Sequence, residues 1–100
     1  MTMDQDSAKS AVLKHLNATY SVAGDELVIL EERTRVTPYG WVFFYNSRRY
    51  IETRNILYAL GGNGPVVFER ETGSIVPLPS HSPPDEVIRQ YELTRESRGK

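Results

Sequence analysis

No cysteine occurs in the 100 residues, which excludes disulfides, thiolate catalysis and cysteine-ligated zinc and makes a reducing compartment comfortable for the chain. Long apolar runs are also lacking. The longest, such as Leu27 to Leu30 and Trp41 to Tyr45, fall far short of the ~20 residues that span a bilayer. Met1 to Ser10 is polar and holds two aspartates, whereas a secretory signal needs a basic start followed by roughly 7–15 apolar residues. A soluble, cytoplasmic protein is expected. Charge of one sign is missing too. Twelve basic against thirteen acidic residues leave a formal charge of −1, so no global field draws in nucleic acid or an anionic membrane, and neither is expected as a partner. With no internal repeat and no composition break, residues 1–100 read as a single domain with an ordered core of about 6–95.

What is present suits a folded domain. The chain is 39% hydrophobic and 25% charged, with one Trp, six Tyr and three Phe, close to the globular average and far from the signature of disorder. A chain of this length buries roughly two thirds of its unfolded surface in one core.

The pattern along the chain predicts the elements. Ala8, Ala11, Val12, Leu16 and Tyr20 recur at spacings of three and four, which predicts a helix from Asp6 that ends near Asn17 to Tyr20, capped by Asp4, Asp6 or Ser7. Ala23-Gly24-Asp25 reads as a turn. Leu27 to Thr37 reads as one strand, in which Glu31 and Glu32 point to opposite faces, and Pro38-Tyr39-Gly40 turns it into a second strand, Trp41 to Tyr45. Asn46 to Arg49 breaks the apolar run, Tyr50-Ile51 extends it briefly, and Asn55 to Leu60 reads as one or two helical turns before the glycine-rich Gly61-Gly62-Asn63-Gly64-Pro65. Val66 to Glu69 and Ser74 to Pro77 flank Thr72-Gly73 as a second hairpin. Ser82 as cap, then Pro83-Pro84-Asp85-Glu86, predicts a terminal helix with Val87, Ile88 and Tyr91 on its apolar stripe. The fold class is α+β: a mainly antiparallel four-stranded sheet of two hairpins, with an N-terminal and a C-terminal helix packed on one face.

No chemistry-bearing constellation stands out. His15 and His81 are isolated and lack metal-ligand spacing. The carboxylates Glu31, Glu32, Glu52, Glu69, Glu71, Asp85 and Glu86 are numerous, but nothing selects a pair for acid–base work, and Asp85-Glu86 suits a helix start. The loop Gly61 to Gly64 runs into Pro65 and a strand instead of a phosphate-binding helix. Arg48, Arg49 and Arg54 beside Tyr45 and Tyr50 resemble an RNA-binding patch, but acidic neighbours make a solvated mixed-charge edge the better reading. No catalytic, metal or cofactor residue is assigned, and no cofactor is expected.

Tyr39 to Ser47 (YGWVFFYNS), Tyr50 to Thr53 (YIET), Leu60 to Pro65 (LGGNGP) and Thr72-Gly73 occur in the order and spacing of one family, and Tyr91 fits its terminal helix. On these residues, which cover about Glu26 to Glu92, the chain resembles the YrhB-domain (immunity protein 35) family of bacterial toxin-immunity proteins. It departs from that pattern at Leu78-Pro79-Ser80-His81-Ser82, where relatives tend to carry a glycine-threonine pair. The resemblance implies a non-enzymatic antidote that binds a cognate toxin, one component of a toxin–antitoxin or polymorphic-toxin system. The alternative it brings is a small chaperone-like protein of broad clientele; a hydrolase using paired carboxylates is a third, more distant reading.

Tyrosine and arginine are enriched at interface hot spots, which selects Tyr39, Arg48, Arg49, Tyr50 and Arg54 as partner-binding candidates, with Glu31, Glu32, Glu52 and Glu69 as their charged companions. On this reading Arg49→Glu weakens toxin binding without lowering stability. Oligomeric state is left open.

Overall fold

The computed structural model describes residues 4–20, 22–58, 60 and 64–98. These form helix α1 (Gln5–Thr19), strand β1 (Leu27–Ile29), a 3-10 turn (Glu31–Arg33), β2 (Arg35–Thr37), β3 (Gly40–Phe43), β4 (Tyr45–Ser47), α2 (Arg48–Thr53), a second 3-10 turn (Ile56–Tyr58), β5 (Val66–Glu69), β6 (Ile75–Pro77) and α3 (Pro84–Arg98). The class is α+β, as expected.

Helix α1 starts where Asp4 accepts the Ser7 N–H at 2.8 Å, a bond that also holds the Asp4 carboxyl below its ordinary range. Strands β2-β3-β5-β6 form an antiparallel sheet in that order, made of the two expected hairpins joined between β3 and β5. Gly40 has φ +152°, and a Cβ there would lie 1.9 Å from the Phe68 carbonyl oxygen, so glycine lets β3 lie against β5. Gly73 takes φ +74° in the β5–β6 loop, the left-handed position expected of it. The expected glycine turn falls largely on Gly61 to Asn63, outside the described residues.

Three details differ from expectation. First, the long N-terminal hairpin is bent. Between the pairs Ile29↔Tyr45 and Arg35↔Val42 one arm takes six residue steps and the other three, and the extra residues are the turn Glu31–Arg33. Leu30 donates its N–H to the Phe44 carbonyl at 2.7 Å at this corner. Beyond it β1 and β4 form a separate two-stranded sheet.

Second, the helices do not share a face. Ala8 and Val12 of α1 pack on Trp41, Phe43, Val66 and Phe68, while Val87 and Ile88 of α3 pack with Val42, Phe44 and Val67 on the other side. The reason lies in β3 and β5, which are buried at every position. A strand apolar on both faces needs a cover on each, and each large side chain so buried contributes roughly 1.5–3 kcal/mol. The helix start is also displaced. The Pro83 carbonyl, not Ser82, meets the first N–H groups of α3, accepting from Glu86 at 3.0 Å and Val87 at 3.2 Å, while the Ser82 hydroxyl lies 2.9 Å from His81 Nδ1.

Candidate partner-binding site

The corner of the bent hairpin creates a cleft. Residues Asn46 to Arg49, read from the sequence as a break, instead launch α2: Ser47 is fully buried, and its hydroxyl accepts the Tyr50 N–H at 3.2 Å as the N-cap. The same hydroxyl donates to Asp25. That carboxylate also accepts Tyr20 Oη–H at 3.0 Å, the Glu26 N–H at 2.7 Å and the Arg49 N–H at 3.1 Å. Burial alone raises the pKa of Asp25, but the donors from Ser47, Arg49, Glu26 and Tyr20 outweigh it and bring it down to about 2. Asn17 completes the frame. Its side chain accepts the Leu27 N–H at 2.8 Å and donates to the Leu27 carbonyl at 3.1 Å, tying β1 to α1.

Between the Glu31–Arg33 turn and α2 lies a cleft of about 380 Å³, walled by Val28, Ile29, Leu30, Asn46 and Ile51 and rimmed by Glu31, Glu32, Arg33, Tyr50 and Arg54. Four of the nine predicted residues therefore meet here: Glu31, Glu32, Tyr50 and Arg54. Glu31 and Glu32 sit in a 3-10 turn, both exposed and both on the cleft, so the expectation that a strand holds them on opposite faces is overturned. Lys9 pairs with Glu31, and the Arg54 guanidinium lies 5.8 Å from the Tyr50 ring centre.

Arg48, Arg49 and Glu52 belong to α2 itself. Arg48 donates to the Gly24 carbonyl at 2.8 Å. Arg49 lies over the Tyr58 ring at 4.4 Å and reaches its hydroxyl at 3.3 Å, while Glu52 is exposed. Because Arg49 holds the second 3-10 turn, Arg49→Glu is expected to cost some stability, contrary to the reading from sequence.

Tyr39 and Glu69 are elsewhere. Both are only 9% exposed, beneath α3. Tyr39 donates to Glu92 at 2.8 Å and lies 4.4 Å below the Arg95 guanidinium; Glu69 accepts from Arg95 Nε at 2.7 Å, Arg95 Nη2 at 2.8 Å and the Tyr91 hydroxyl. Burial, then the neighbouring carboxylates, push both tyrosine hydroxyls upward. This group fastens α3 to the sheet and leaves both side chains largely covered. His15 is exposed on α1 and His81 in the loop before α3.

Sequence reasoning missed Arg33 and Ile51 in the cleft, and Ile56 and Leu57 on the second 3-10 turn, which are 76% and 85% exposed. The available signal was Ser47 as a helix cap, followed by Asn55, whose side chain accepts the Leu57 N–H at 3.0 Å.

A family model described as immunity protein 35 matches residues 6–91. The chain belongs to the immunity protein 35 family. The match takes in α1, both sheets, the cleft, α2 and α3 as far as Tyr91, so it reaches further toward the N-terminus than the residues that carried the resemblance. YrhB of Escherichia coli (strain K12), an uncharacterized protein, is 30% identical over 60 residues, which cover 60% of this chain and 64% of the relative. The matched region is thus a little under two thirds of that relative's length. No solved structure matches the chain. Among the described residues no helix is long and apolar enough to cross a membrane.

Proposed function

We propose that this member of the immunity protein 35 family binds a cognate bacterial toxin in the cytoplasm and neutralises it by forming a stoichiometric complex, with no catalysis, no cofactor, and neither nucleic acid nor membrane as partner. The observation that carries the reading is the family match over residues 6–91. The site gives it a physical form. An inhibitor needs a firmly held surface with mixed polar and apolar character, and the cleft rimmed by Glu31, Glu32, Tyr50 and Arg54, continued by Arg48, Arg49 and Glu52 on α2, is held from behind by Asp25, Ser47 and Asn17.

The test is co-expression with the product of the adjacent reading frame. Rescue of growth, together with a complex of equal stoichiometry that survives purification, is the expected result. Absence of both, combined with suppression of aggregation of unrelated clients, would replace this reading with a chaperone-like one.

A further inference from the structure

The charged residues around the cleft differ in what already holds them. On the wall formed by the Glu31–Arg33 turn, Glu31 is paired with Lys9 of α1, and Arg33 lays its guanidinium on the Phe44 ring, 4.6 Å from its centre. Glu32, between them, is exposed and has no ion pair among the described residues. On the α2 wall, Arg48 is engaged by the Gly24 carbonyl and Arg49 by Tyr58, and neither lines the cleft. Arg54 does line it. Its guanidinium lies 5.8 Å from the Tyr50 ring centre, near the outer limit of a cation–π contact, and it too has no ion pair among the described residues. The cleft is therefore bipolar in space: an uncommitted carboxylate on one wall and an uncommitted guanidinium on the other, not reaching one another, with Val28, Ile29, Leu30 and Ile51 lining the space between.

The backbone at Arg54 is an independent sign that its side chain is needed. Arg54 closes α2 in the left-handed conformation, with φ +56° and ψ +21°, and its N–H meets the Tyr50 carbonyl at 2.6 Å. Glycine takes that position without strain, as Gly24 and Gly73 do at φ +78° and +74° in their own turns, whereas a side chain there costs stability. The Arg54 side chain makes no hydrogen bond among the described residues that would offset the cost. Strain kept for a side chain that does so little within the chain points to something outside it. Whatever fills the cleft is convex and carries both signs of charge. A second copy of the chain matches the charges but not the shape, since one cleft does not fill another.

Resting on the proposed immunity role, we infer that the cleft receives a projecting segment of the toxin in which an aliphatic side chain lies between an acidic and a basic one, its carboxylate on Arg54 and its cation on Glu32. The probe is the product of the adjacent reading frame, recovered from its complex under denaturing conditions, refolded, and titrated against the wild-type chain and its variants. Arg54→Glu and Glu32→Lys each weaken binding about tenfold or more, and the variant carrying both weakens it about a hundredfold although its net charge equals that of the wild type. Arg54→Gly weakens binding about tenfold while its melting temperature stays at or above that of the wild type, an outcome that a purely structural role for Arg54 does not produce. Glu71→Lys, at an exposed residue of the β5–β6 loop outside the cleft, leaves binding unchanged and controls for charge reversal as such. If the wild-type chain forms no complex, the immunity role fails and the bipolar cleft with it. If the wild-type chain binds and both charge reversals bind equally well, or Arg54→Gly binds as tightly as the wild type, the cleft assignment alone is overturned. If one reversal weakens binding, the other tightens it and the double variant restores it, the partner surface has a single sign and the bipolar segment is overturned. A wild-type dimer that either reversal disperses overturns the inference in favour of self-association.

Discussion

Asp25 is exposed to its own electrostatics in a way that acid titration can read. Its folded-state pKa of about 2 lies below the roughly 3.9 of an unfolded aspartate. The unfolded chain therefore takes up the proton first. The stability that Asp25 contributes is complete above about pH 4–5 and is lost as the pH falls toward about 2. Asp25→Asn removes the titrating charge, so the variant is expected to be less stable at pH 7 and to lose less of its urea midpoint between about pH 5 and pH 2.5. Equal slopes in the two proteins would show that another carboxylate governs that window. Two glycines make a paired prediction on backbone grounds. A methyl at Gly40 would meet the Phe68 carbonyl at 1.9 Å, whereas one at Gly73 would meet nothing within 4 Å and bears only the cost of positive φ. Gly40→Ala is expected to destabilise by about 3 kcal/mol or more and Gly73→Ala by about 1 kcal/mol, measured as urea unfolding free energies.

Among the elements, α3 depends on the polar group beneath it as well as on Val87 and Ile88. Glu69 is buried and receives Arg95 through two N–H groups. Removing only the arginine takes two charged donors from a buried carboxylate, so Arg95→Met is expected to cost about 2 kcal/mol, discounted because Arg95 is itself a third exposed. Glu69→Leu with Arg95→Met should cost less than Arg95→Met alone, and a larger loss in the double variant would contradict this account. The elements also show what was legible in the sequence. Both terminal helices, both hairpins and the turns at Gly24 and Gly73 follow from periodicity and turn chemistry that act within a few residues. Glu31 to Arg33 alternate as a strand would, but three extra residues in one arm of a hairpin are visible only against the partner arm, so their 3-10 conformation was not. Helix α2 was missed because Arg48 to Thr53 has no buried residue to give it an apolar stripe. It is set by the Ser47 cap and by Asp25, a contact across more than twenty residues. Of the nine candidates, Glu31, Glu32, Tyr50 and Arg54 were named by residue type alone, and the fold gathers them on one cleft. Tyr39 and Glu69 were misplaced because burial beneath α3 depends on which face that helix covers.

For the whole molecule, the consequence of helices on opposite faces is that two hydrophobic clusters share one pair of strands. Trp41 and Phe43 face α1, Val42 faces α3, and all three lie on β3. Neither cluster can come apart without disturbing the backbone that presents the other, so a single cooperative transition is expected. Trp41, the chain's one tryptophan, sits in the α1 cluster and reports on that side. Val87→Ala removes two buried methyl groups on the α3 side and should cost about 1–2 kcal/mol. In one cooperative unit, that loss lowers the urea midpoint of Trp41 fluorescence by the same amount as the midpoint of far-ultraviolet circular dichroism, although Val87 belongs to the other cluster. If the fluorescence midpoint stays at the wild-type value while helix signal is lost earlier, α3 melts as a separate unit from the sheet. The covers on the two faces of β3 would then be independent, and the interlock argued from the shared strands would fail.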